Sequence, residues 1–225
     1  MQRSLVSGAI LAAVVLCLPT VGACAERPRS TDRQARFPTG AAQAAAFRRG
    51  MSSFQRKDYA SAIPAFDEAI RLQPEFAVAI AQRGFAHIEV GNYGLAISDH
   101  DTVLKLASDS PQAWVNSCWA RAVANSELDQ ALALCDRAVA LRPDVSALDS
   151  RGFVRFRRGE FALAISDYTA AILSSRSGSS LFMRGVAKSR MGSDAGGLAD
   201  IRWARRIDPG VADRYSRFGV AMNAK

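Results

Sequence analysis

Apolar residues recur at helical spacing in paired stretches along residues 41–209, and a short polar or glycine-containing turn separates the two stretches of each pair. The turns lie at Lys57-Asp58, Gly91-Asn92, Asn125-Ser126, Gly159-Glu160 and Gly192-Ser193. Proline follows three of the stretches, at Pro74, Pro143 and Pro209, where it would end a helix. The pattern therefore predicts a series of helix–turn–helix hairpins.

A small residue marks the same place in each hairpin. These sites are Gly50, Gly84, Cys118, Gly152 and Gly185, and the steps between them are 34, 34, 34 and 33 residues. A period near 34 is typical of a helical solenoid, in which each unit buries its apolar face against its neighbours. The sequence predicts five units, at residues 41–75, 76–110, 111–144, 145–178 and 179–209, and a capping helix within residues 210–225, over about 211–222.

Charged residues follow the same period. An arginine precedes the small site in four units, and an aspartate comes sixteen residues later in three of them: Arg83 and Asp99, Arg151 and Asp167, Arg184 and Asp200. Antiparallel helices joined by a short turn bring these positions opposite each other, so we predict a bidentate ion pair inside each hairpin. A phosphate-binding ladder of arginines is the alternative interpretation.

The repeated motifs resemble the tetratricopeptide repeat signature over residues 41–209. They are Gly50, Ala62-x-x-x-Phe66, Ala69 and Pro74 in the first unit, Trp114-x-x-Ser117-Cys118 in the third and Ala164-x-x-x-Tyr168-x-x-Ala171 in the fourth. The second unit departs from the pattern, since His100 takes a place usually held by an aromatic residue. The resemblance implies an all-α, right-handed superhelical solenoid of helix–turn–helix hairpins that binds a protein or peptide partner.

In that family the first helices of the hairpins line a concave groove, which the resemblance places along an apolar and aromatic stripe of this chain. The predicted groove residues are Met51, Phe54, Phe85, Trp119, Phe153, Phe156, Arg157 and Arg190. Aromatic rings would anchor a peptide there, and the two arginines would pair with a carboxylate. The alternative is that these rings pack between neighbouring units as part of the core. The carboxylate clamp of chaperone-binding relatives is absent, because Phe47, Met51 and Asn116 hold the corresponding places.

The first 25 residues have the pattern of a secretory signal peptide. Arg3 precedes a 14-residue apolar run over residues 5–18, and the small residues Ala23 and Ala25 flank Cys24. Three outcomes stay open: cleavage before Glu26, lipidation of Cys24 in a lipobox-like segment, or an uncleaved anchor. Each predicts export, which in a bacterium means the periplasm, either soluble or lipid-anchored to the envelope. Residues 26–40 are rich in Arg, Pro, Ser and Thr and predict a flexible linker.

Two cysteines remain in the predicted fold, Cys118 and Cys135, mid-way along the two helices of the third hairpin. An antiparallel hairpin would bring them roughly opposite each other, so a disulfide is a prediction for an oxidising compartment. Two small buried thiols at tight packing sites are the alternative.

Residues for catalysis are sparse. The chain has two histidines, His87 and His100, which we interpret as core residues, and no phosphate-binding glycine loop or metal-ligand spacing. We therefore predict a non-enzymatic protein without cofactor, and export argues against nucleic acid as the partner.

The charge of the chain is uneven. Residues 151–225 contain 14 Lys and Arg against 6 Asp and Glu, whereas residues 26–150 contain 14 against 15. The basic C-terminal repeats make an anionic envelope polymer or lipid the alternative ligand.

Overall fold

The computed structural model describes residues 37–221, and in that range the protein consists of eleven α-helices without a β-strand. The first six helices are α1 (Phe37–Gln55), α2 (Tyr59–Leu72), α3 (Ala77–Glu89), α4 (Tyr93–Leu106), α5 (Pro111–Ala124) and α6 (Leu128–Leu141). The remaining five are α7 (Val145–Arg157), α8 (Phe161–Ser174), α9 (Gly178–Arg190), α10 (Asp194–Ile207) and α11 (Val211–Arg217). Each helix packs on the next along the chain, so the predicted all-α solenoid is confirmed.

Local signals in the sequence set the ends of these helices. Asp58 caps α2 by accepting a hydrogen bond from the Ser61 N–H at 3.2 Å, and Asp144 caps α7 in the same way. Three hairpin turns place a glycine at positive φ, which suits a residue without Cβ: Gly91 (82°), Gly159 (76°) and Gly192 (83°). The hairpins are therefore closed by the residues that marked the turns in the sequence.

The small sites of the repeat allow the two helices of a hairpin to touch. A Cβ added at Gly50 would lie 2.5 Å from the Phe66 ring, and one at Gly152 would lie 2.9 Å from the Tyr168 ring. At Gly185 the contact is with backbone, since a Cβ there would lie 2.7 Å from the carbonyl oxygen of Gly197. Larger residues at these positions would force the two helices of a hairpin apart.

The three predicted arginine–aspartate pairs are present and bidentate. Arg83 donates from Nε and Nη2 to Asp99 at 2.9 and 2.6 Å, and Arg184 donates likewise to Asp200 at 2.8 and 2.8 Å. Arg83 also donates from Nη1 to Asp67, in the hairpin before its own, at 2.6 Å. The arginine therefore joins neighbouring repeats as well as the two helices of one hairpin.

The capping helix is shorter than the predicted helix over 211–222, because α11 ends at Arg217. Gly219 adopts a φ of +74°, and the Val220 N–H returns to the carbonyl of Tyr215 at 3.0 Å. This left-handed glycine closes the helix and turns the chain back toward the repeats. At the other end, α1 begins at Phe37, within the predicted linker.

The predicted signal peptide, which contains Cys24, and most of the predicted linker lie outside the described residues. Of the helices within residues 37–221, none combines the length and apolar character that crossing a bilayer requires. The same residues contain no group of three His, Cys, Asp or Glu side chains placed to hold a metal ion.

Candidate partner-binding groove

The first helices of the repeats line two regions of the predicted groove. We call the region between α3 and α5 the open cavity, and the region along α5, α7 and α9 that contacts the C-terminal residues the covered half.

The open cavity has a volume of about 420 Å³ and lies between α3, α4 and α5. Its lining is mainly apolar, from Ala77, Val78, Ala81, Phe85, Val103, Ala107 and Ala113, with Gln82, Ser110, Gln112 and Asn116 as polar members. Gln112 donates its side-chain amide to the Asn116 oxygen at 2.8 Å, which fixes both carboxamides at one wall. The cavity is therefore an apolar chamber with a few oriented amides at one wall.

The covered half is built from stacked aromatic rings. The Phe153 ring is fully buried and lies 5.2 Å from Trp119 on α5 and 5.6 Å from Tyr215 on α11. Phe218 meets Trp119 edge to face at 5.9 Å. The C-terminal residues therefore supply two of the rings in this cluster.

Two arginines, Arg157 and Arg190, lie at the edge of the covered half. Arg157 donates to the carbonyl oxygens of Ala122, at 3.2 Å, and of Phe218, and its guanidinium lies 4.9 Å from the Phe153 ring centre. Burial lowers the pKa of Arg157, and no carboxylate of residues 37–221 forms a salt bridge with it. Arg190 donates to the Ala221 carbonyl at 3.0 Å. Both cations are thus paired with neutral acceptors.

The eight predicted groove residues fall into three places. Met51 and Phe54 lie on α1, where the Phe54 ring packs 5.2 Å from Tyr59, and Phe85 lines the open cavity. The remaining five edge or lie within the covered half: Trp119, Phe153, Phe156, Arg157 and Arg190. Phe153 and Phe156 are core residues, as the alternative interpretation of the stripe expects for those two rings.

Sequence reasoning missed the other contributors. Val78 and Gln112 line the cavity six residues before the small site of their repeat, and Gln82 two residues before it, at positions that no repeat motif marks. Tyr215 and Phe218 lie in the predicted capping helix, and no motif of the sequence indicates that they reach Phe153 and Trp119.

A disulfide lies behind the groove. Cys118 and Cys135 are bonded, with Cα atoms 5.5 Å apart, and both are fully buried. The bond ties α5, which carries Trp119, to α6. It therefore fixes one wall of the groove covalently.

Three comparisons relate the chain to known proteins. The tetratricopeptide repeat family profile matches residues 43–76, close to the first predicted unit. No functionally curated protein matches the chain in sequence. The identification of tetratricopeptide repeats is confirmed by this match and by the solved structures of similar fold.

Three such structures share the fold at low identity. A thermophilic tetratricopeptide repeat protein from Thermus thermophilus is 18% identical, with a TM-score of 0.68 over 79% of this chain and 97% of its own. A tetratricopeptide repeat protein from Parabacteroides merdae is 16% identical, with a TM-score of 0.65 over 84% and 80%. A chain of the Cut9–Hcn1 hetero-tetramer of the APC/C is 16% identical, with a TM-score of 0.70 over 84% and 38%.

Proposed function

We propose that the chain is a non-catalytic scaffold or adaptor that binds a protein or peptide partner in its groove. It carries a tetratricopeptide repeat, and its solenoid shares the fold of solved tetratricopeptide repeat proteins. Such repeats generally serve as interaction surfaces rather than catalysts. The similar Cut9–Hcn1 structure is itself an assembly of different chains, which supports a protein as the class of partner.

The observation that carries the proposal is the open cavity. It is large enough for one or two apolar side chains of a peptide, and its lining residue Val78 is 53% exposed although it is apolar. Gln82, Gln112 and Asn116 supply amide groups that match the donors and acceptors of a peptide backbone. The partner segment would thus place an apolar side chain beside Phe85 and its backbone along the carboxamides.

The cell envelope is the proposed location. The signal-peptide pattern of residues 1–25 supports export, and Cys24 supplies a lipid attachment point in the alternative form. A lipid on Cys24 would tether the groove to a membrane through the residues that precede α1.

We predict that Val78→Glu weakens partner binding at least tenfold, because a carboxylate would be desolvated against apolar cavity walls. Leu95→Glu on α4 is the matched control, since Leu95 is 55% exposed and lies outside the cavity lining. Both exposed substitutions should change the free energy of unfolding by less than about 0.5 kcal/mol.

The measurement has two steps. Crosslinked capture from envelope extracts identifies proteins retained by the wild type and by Leu95→Glu but lost with Val78→Glu. Calorimetric titration with the purified partner then gives the affinities. Equal affinity of the two variants would contradict a partner site in the open cavity.

The alternative ligand, an anionic polymer or lipid, has one observation in its favour. On α10, Trp203 is half-exposed beside the exposed Arg202 and Arg206, and the Arg206 guanidinium lies 5.6 Å from the Trp203 ring centre. If this surface of α10 binds an anionic ligand, binding to anionic vesicles should fall steeply between about 20 and about 150 mM salt. Peptide binding in the cavity would change little over the same range.

A further inference from the structure

The C-terminal segment, Arg217–Ala221, lies against the covered half of the groove. It begins at the last residue of α11 and is turned inward by Gly219, whose N–H bonds to the Ser216 carbonyl at 2.9 Å. Val220 is buried and Phe218 is nearly so, at 8% exposure. The segment is therefore packed on the repeats instead of continuing the solenoid outward.

Its contacts reach four helices of the groove. Arg217 forms a salt bridge of 2.8 Å with Glu89 at the end of α3, and the Phe218 ring meets Trp119 on α5. Arg157 on α7 donates to the Phe218 carbonyl, and Arg190 on α9 to the Ala221 carbonyl. An aromatic anchor with backbone acceptors for arginine is the arrangement expected of a bound peptide.

The segment is held by Phe218 and Val220, which are buried in the main apolar cluster, and by the ion pair of Arg217 with Glu89. The preceding helix α11 has seven residues, which is too short to be stable without its packing contacts. The Arg217–Glu89 bridge is about half-exposed on the arginine side, and such pairs contribute at most about 1 kcal/mol. Local opening of the segment should therefore need less free energy than unfolding of the repeats.

Arg157, which the C-terminal segment covers, also favours replacement of the segment by a partner. Arg157 is a partly buried cation whose acceptors are two neutral carbonyls, and no carboxylate in the described part of the chain forms a salt bridge with it to offset its charge. A ligand that brings an aromatic ring and a carboxylate would satisfy this site better than the C-terminal segment does.

We propose that the C-terminal segment is an autoinhibitory occupant of the groove, and that a partner reaches Trp119 and Arg157 only by displacing it. Its role as a competitor rests on the proposed function. Its ability to detach does not, and can be tested without any partner.

The test uses a labelled synthetic peptide of residues 211–225 and the full-length chain. In the wild type the attached segment competes at an effective concentration in the millimolar range, so the added peptide should bind weakly. Phe218→Ala removes the ring that contacts Trp119, and we expect it to raise the affinity for the peptide at least tenfold. Ser216→Ala is the matched control, since within residues 37–221 the Ser216 hydroxyl bonds to the Asp213 carbonyl of its own helix and to no other group, and should leave the affinity at the wild-type value.

Adding Trp119→Ala to Phe218→Ala locates the peptide. Loss of peptide binding in the double variant supports binding in the covered half. Absence of binding to the single variant, or equal binding by the single and double variants, would overturn the proposal.

If Phe218→Ala does not fold, amide hydrogen exchange of the wild type tests whether the C-terminal segment opens locally. The amides of Gly219 and Val220 should exchange at least a hundredfold faster than those in the middle of α7 and α9, because they open locally. Exchange at the same rate as α7 would show that the segment is integral to the fold and would overturn the proposal. A failure of the cavity proposal would appear instead as equal partner binding by Val78→Glu and Leu95→Glu.

Discussion

His100 holds the place that Phe66 and Tyr168 hold in other repeats, directly over a glycine of the facing helix. It is fully buried, neither ring nitrogen has a hydrogen-bond partner among residues 37–221, and burial lowers its pKa to about 4. A polar atom left unsatisfied in the core costs about 1–3 kcal/mol, so the ring packs at the expense of stability.

We therefore predict that His100→Phe raises the free energy of unfolding by about 1–2 kcal/mol at pH 7.5. The gain should grow as pH falls from about 6.5 to 4, because the unfolded wild type then binds a proton that its folded state excludes. Urea unfolding of both proteins at several pH values measures this. A pH-independent difference would contradict the buried neutral histidine.

Asp149 on α7 makes the stability of the protein depend on pH in the opposite direction to His100. Burial raises its pKa to about 6, although the Ser180 hydroxyl donates to it at 2.5 Å. Above pH 6 the partly buried carboxylate is charged and opposes folding, whereas below about 4 it is neutral in both states.

We expect Asp149→Asn to stabilise the protein at pH 7.5 by roughly 1–3 kcal/mol, since the amide keeps an acceptor for Ser180 without the charge. The difference should vanish near pH 3.5, which thermal unfolding across pH can check. Stabilisation that persists at pH 3.5 would show that packing, rather than ionisation, causes it.

At the scale of helices, one arginine in each of three repeats links three helices: Arg83, Arg151 and Arg184. Arg151 on α7 is bidentate to Asp167 on α8 and also donates to Asp136 on α6 at 3.1 Å. The hairpin α5–α6 lacks this pair, and there the Cys118–Cys135 bond joins the helices instead. A disulfide closing a loop of this length contributes about 3 kcal/mol in the chain-entropy account.

The two carboxylates on Arg151 allow a matched comparison. Asp167 is 3% exposed and also accepts from Arg155, so Asp167→Asn should lower the free energy of unfolding by about 2–4 kcal/mol. Asp136 is exposed, and Asp136→Asn should cost less than about 1 kcal/mol. Chemical denaturation of both variants tests this, and equal losses would mean that the repeat interface matters as much as the hairpin.

For the whole molecule, the solenoid distributes its contacts between neighbours, so most packing is local in sequence. The Arg217–Glu89 bridge is different, because it joins residues 128 positions apart across the groove. The C-terminal segment thereby couples the second repeat to the end of the chain. Binding in the covered half and release of this segment should be linked in the same way.

Much of the fold could be predicted because the same small sites and the same ion-pair positions recur in several repeats. Gly50, Gly84 and Gly152 mark the close approach of helices, and Arg151 with Asp167 fixes the pairing of a hairpin. The candidate site was less accessible to sequence reasoning. Phe85 followed from its place after Gly84, but Gln112 and Val78 line the cavity through positions that no repeat motif distinguishes.

Helix periodicity, turn glycines and local charge act over a few tens of residues, so the amino-acid pattern was enough to predict the hairpins, their order and their internal ion pairs. Which of the predicted groove residues are open depends on contacts between distant parts of the fold. Phe85 faces a cavity, whereas Trp119 and Arg157 contact Phe218, which lies 99 and 61 residues further along the chain. That contact depends on how the stacked repeats return the C-terminus to the groove, and no local pattern encodes it.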